Sequence, residues 1–130
     1  MTVQIYFQIL SNLISIILVI LLLVTYIKYK KSINKIQNLS TLKSQKKLTN
    51  DDLIYIDENY KFYEEKSEKA DALSKITNPI FIFATGILFL YLPFSDAMIH
   101  LNVVVVAFIY VQLDKTNKKN TLILLSELKN

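Results

Sequence analysis

The chain has no cysteine, no arginine, one glycine, one histidine and two prolines among 130 residues. Without cysteine there are no disulfides, thiolate metal sites, iron–sulfur clusters or c-type haem attachment. His100 and Gly86, each alone of its kind, build neither a multi-histidine metal centre nor a glycine-rich phosphate loop. No cofactor and no metal are therefore expected. No nucleophile, base and pocket-forming set converges in the sequence either, so an enzyme is not expected. All 15 basic residues are lysine. The lack of arginine, which makes bidentate and stacked base contacts, argues against nucleic acid as a partner. Abundant Lys, Asn, Ile, Phe and Tyr without arginine also suggests AT-rich coding and a bacterial source.

Charge is missing from long stretches as well. Val3 to Ile27 is 25 residues without Asp, Glu, Lys, Arg or His. At ~1.5 Å per residue it exceeds the ~30 Å hydrocarbon core of a bilayer. It is expected to stay as an anchor rather than be removed as a signal peptide, because the apolar stretch is too long and no small-residue cleavage site follows. Two shorter apolar runs, Ile80 to Leu92 and Ala97 to Leu113, flank "PFSD". They read as a tight hairpin of two spans, 79–92 and 96–113. Pro93 is expected to stop the first arm, with Ser95 as N-cap of the second and Asp96 at the positive end of its dipole. A re-entrant pair that does not cross is the alternative.

Lysine placement gives a direction. Between Lys28 and Asn50 lie seven lysines and no acids; the turn at 93–97 has no lysine; Lys115, Lys118, Lys119 and Lys129 follow the third run. The positive-inside rule then puts the N-terminus outside, and the 28–78 loop and 114–130 tail in the cytoplasm of a bacterial inner membrane. Tyr6, Phe7, Tyr91 and Phe94 at one level, and Tyr26, Tyr29 and Tyr110 at the other, fit interfacial aromatic belts.

Polar residues do occur in the first run, and they are ordered. Gln4, Gln8, Ser11 and Ser15 recur at a/d spacing, with Asn12 beside them. Amides and small hydroxyl residues on a lipid-embedded helix favour interhelical contacts, each worth around 0.6–2 kcal/mol. A packing seam is the expected role, against the 79–113 hairpin, another copy or a different protein; a water-lined face is the alternative. Gly86, in a small patch with Ala84 and Thr85, is expected to let another backbone approach.

The loop splits by charge, +7 over residues 28–50 and −4 over residues 51–75. Thr49 and Asp52 resemble a capping box, followed by Leu53, Ile56, Tyr60, Tyr63, Ser67 and Ala70 in a/d spacing. Ile33, Ile36 and Leu39 form an apolar row before it. An antiparallel helical hairpin, coiled-coil-like, is the natural reading. Pro79 is expected to end or kink its second helix, with Asn78 pushed out of the α region. Tyr55, Phe62 and Leu73 lie off the seam and form a candidate docking surface for a soluble partner. In the tail, Leu122, Leu125 and Leu128 can lie on the bilayer surface or against the stalk, surface packing being the plainer expectation. Asp96 and His100, at i, i+4, are the candidate titrating pair, although capping and interfacial placement explain them as well.

The expected fold is thus an all-α membrane protein with three transmembrane helices and a cytoplasmic helical hairpin between the first two. The expected function is that of a structural, assembly or regulatory subunit, with lipid and other subunits or itself as partners. The alternative is a small pore-forming, holin-type chain.

Overall fold

A computed structural model describes residues 2–130, with side chains from Val3 onward. Its elements are three long helices: α1 (Thr2–Ser44), α2 (Asn50–Tyr91) and α3 (Phe94–Lys129). Each contains a segment long and apolar enough to cross a membrane, and each such segment has almost no buried residues, 0% in α1 and 6% in α2 and α3. The chain is all-helical, with three helices that fit a membrane protein.

Local chemistry explains where these helices stop. At the end of α1, the Lys47 N–H reaches Leu42 O at 2.9 Å and the Lys46 N–H reaches Lys43 O at 3.0 Å. This is a Schellman closure, which needs a left-handed residue just past the helix; Lys46 takes that role at φ 57° although glycine is the usual choice. Then α2 begins on a reciprocal capping box. The Asp52 N–H donates to Thr49 Oγ1, and the Thr49 N–H donates to Asp52 Oδ2, both at 3.1 Å. Pro93 closes the helix before it, as expected. Yet α3 starts at Phe94, one residue ahead of Ser95. The Pro93 carbonyl already accepts the Ala97 N–H at 2.9 Å, so Ser95 is inside the first turn and is not the N-cap.

Pro79 neither ends α2 nor pushes Asn78 out of the helix, which runs unbroken through both. The missing N–H costs one backbone bond, but tertiary contacts hold the preceding turn. Gln112 of α3 donates to Ser74 Oγ at 3.1 Å and to Asn78 Oδ1 at 2.7 Å. Packing overrides the local preference of proline here.

The helices contribute to two compact units. The first holds the residues up to Val24 together with Leu73–Leu113. Inside it Ala97 and Ser74 are fully buried, and Phe81 meets Phe108 edge-on at 5.8 Å. Its outward side chains are apolar and bare: Ile82, Phe83 and Leu90 are 75%, 72% and 80% exposed. That surface is suited to lipid and unsuited to water.

The second unit holds Thr25–Ala72 and Asp114–Asn130. Its core is Ile36, Leu39, Ile56, Leu125 and Leu128, with Leu42, Leu48, Tyr60 and Tyr63 packed around it. The 114–130 stretch is therefore no surface tail. It is the last part of α3, with Leu125 and Leu128 in the core and Leu122 half-buried. Apolar residues from α1 and α2 alone leave a slot that these leucines fill. Lys43 fastens the end of α3 by donating to the carbonyls of Glu127 and Leu128 at 3.1 and 2.9 Å, a favourable place for a cation. Lys129 pairs with Asp57 at 3.2 Å and Lys115 with Asp71 at 3.2 Å. Leu53, the first residue of the expected a/d row, stays exposed, whereas Ile56 and Ala70 are buried.

Candidate functional site

In the apolar unit, the polar residues of α1 meet polar residues of α3. Gln8 Nε2 donates to Asp96 Oδ1 at 3.0 Å. One turn further along both helices, Ser11 Oγ and His100 Nδ1 are 2.5 Å apart. Heptad-like spacing on α1 puts Gln8 and Ser11 on one edge, and the i, i+4 spacing of Asp96 and His100 puts them on the edge that faces it. Gln4, Phe7, Leu88 and Leu92 line an open cavity of about 300 Å³ together with Gln8, Asp96 and His100.

The remaining residues singled out from sequence fall in different places. Ser15 follows on the same edge, its hydroxyl buried without a hydrogen-bond partner. Asn12 is exposed. Gly86 is exposed too, and a Cβ added there would meet nothing within 4 Å. No other segment of this chain approaches Gly86, so the expected close backbone contact is absent within the described residues.

Asp96 and His100 each have a partner on α1. Each is taken up by a different residue of α1, because α3's neighbour presents an amide to one and a hydroxyl to the other. A serine hydroxyl both donates and accepts. Which of Ser11 Oγ and His100 Nδ1 donates depends on the imidazole tautomer. The contact ties α1 to α3 within this unit. Among the described residues, no group of three or more His, Cys, Asp or Glu is placed to hold a metal ion.

Sequence reasoning missed the Gln112–Ser74–Asn78 cluster, the other polar tie of this unit. Its signal was present: Gln112 is the one amide in the run from Val103 to Leu113. Ser74, wholly buried, marks the partner helix. An amide with two donors and a buried hydroxyl within reach is the arrangement that interhelical hydrogen bonding in lipid requires.

The candidate docking residues also separate. Tyr55 packs against the core of the second unit, and Lys35 Nζ stands 3.9 Å from its ring centre. Burial pushes its phenol pKa up, helped by Tyr63. Tyr55 is thus a contact within the chain. Phe62 remains about half exposed, its ring edge-on to Tyr63 at 5.2 Å. Leu73 is exposed to a similar degree in the other unit.

No protein-family model, curated protein or solved structure matches this chain. Its class rests on its own physical features: three long helices with bare apolar segments, joined in part by polar ties such as Gln8–Asp96 and Gln112–Ser74.

Proposed function

We propose that the chain is a small integral protein of a bacterial inner membrane, acting as a structural, assembly or regulatory subunit through helix–helix contacts. Its N-terminus lies outside, and residues 28–78, an antiparallel helical hairpin joined by the end of α3, lie in the cytoplasm with the C-terminus. The observation that carries this reading is the pairing of Gln8 with Asp96 and of Ser11 with His100. Polar groups consumed in ties between helices support a packing role over a water-lined one, while the bare apolar faces are left for lipid and for neighbouring subunits.

The test is a mild-detergent purification of the full chain with mass spectrometry of what accompanies it, in parallel with a dye-leakage assay on cells expressing it. A subunit is expected to copurify stoichiometrically with a membrane partner or itself, and to leave cells tight. Leakage abolished by Gln8→Leu and Ser11→Leu, with assembly intact, would instead establish a pore.

A further inference from the structure

The second unit contains a cavity of about 210 Å³ at the start of its α1 and α3 segments. Two lysines, Lys28 and Lys118, line it together with the hydroxyl-bearing Tyr29, Ser32 and Thr121 and the amide of Asn117. Thr121 is 1% exposed, and its hydroxyl donates to the Asn117 carbonyl at 2.8 Å, which fixes that wall. Tyr63 reaches across from α2, its hydroxyl 3.4 Å from Ser32 Oγ.

The charge balance of this cavity is uneven. Asp114 is its one acid, and Lys118 holds that carboxylate at 2.9 Å. An ammonium has three donors, so Lys118 keeps two. No ion pair joins Lys28 among the described residues. The cavity therefore carries one net positive charge and more donors than acceptors in need of them. Such a set calls for an anion with several acceptor oxygens. Phosphate meets that need, and lysine binds it as a point charge.

Sequence position narrows the source. Lys28 is the first charge after the run 3–27, and Asp114 the first after the run 97–113. If those runs lie in lipid, as proposed above, both residues stand at the depth of the cytoplasmic head groups. We propose that this cavity binds a phosphate group, supplied at that depth by an anionic phospholipid, with Lys28 and Lys118 as the charged contacts and Ser32, Tyr29 and Asn117 as neutral ones.

The experiment uses the full purified chain in detergent, titrated with phosphatidylglycerol or phosphatidylcholine and read by native mass spectrometry. Both lipids carry the phosphate, but the choline ammonium is repelled by the cavity's net positive charge and the glycerol is not, so phosphatidylglycerol is expected to bind about tenfold more tightly. Lys28→Gln is expected to remove most of the preference, and Lys28→Arg to retain it. Lys119→Gln, an exposed lysine one residue from Lys118, is expected to leave it unchanged. Circular dichroism of each variant confirms that the helices remain. Displacement of the lipid by millimolar inorganic phosphate assigns the cavity to phosphate groups in general; persistence of the lipid assigns it to head groups. Equal binding of the two lipids, or Lys28→Gln behaving like Lys119→Gln, overturns the proposal. A chain soluble without detergent overturns the membrane reading instead; the cavity is then tested by phosphate-31 line broadening of inorganic phosphate, lost in Lys28→Gln if the site is real.

Discussion

Lys46 sits in the left-handed region at φ 57°, where a side chain crowds its own backbone and glycine does not. Lys46→Gly is expected to stabilise the second unit by about 0.5–1 kcal/mol, read as a rise in its thermal midpoint. An unchanged or lower midpoint would mean that the lysine has a compensating contact. Asp57 makes a second point at this scale. Hydrogen bonds from Lys129 and then Lys61 hold its carboxyl below the ordinary carboxylate pKa. A depressed folded-state value stabilises the fold above the unfolded pKa, ~3.9 for aspartate. That contribution fades as pH falls through the folded value. Protection of the amides near Lys129 relative to their intrinsic exchange rate is therefore expected to fall below about pH 4, and Asp57→Asn is expected to flatten that acid dependence. Because Asp57 is well hydrated, the effect should also shrink with added salt.

The three helices differ in how far they could be read from sequence. The span in α1 was legible because 25 residues without charge have few other uses, and the start of α2 because a capping box is local in sequence. The docking of α3's last turns was not. Leu122, Leu125 and Leu128 describe an apolar edge but do not name the surface that buries it. That depends on the slot left by Ile36, Leu39 and Ile56, which only the tertiary structure defines. Likewise α2 continues through Pro79 beside side-chain bonds to Gln112, more than thirty residues away in sequence. Gln112→Leu is expected to strand the Ser74 hydroxyl and cost around 0.6–2 kcal/mol. The loss should appear as increased exchange or protease cutting in residues 73–79. Of the seam on α1, Gln8 and Ser11 found partners while Asn12 did not, since 100° per residue turns Asn12 away from the edge facing α3. Gln8→Ala should therefore lower stability in detergent by around 0.6–2 kcal/mol, and Asn12→Ala should not.

At the scale of the molecule, one asymmetry organises everything else. Apolar side chains stand bare along the first unit, while the second carries its lysines around a closed core. The bare apolar surface of the first unit fits lipid. The lack of native cysteine makes the arrangement directly accessible to labelling, because a single introduced thiol is the only one present. The decisive measurement compares Ser95→Cys with Lys46→Cys, each treated in intact cells with a membrane-impermeant maleimide. Labelling at 95 without permeabilisation, and at 46 only after it, is the expected pattern. Labelling at 46 in intact cells, or recovery of the chain in the soluble fraction, would contradict it.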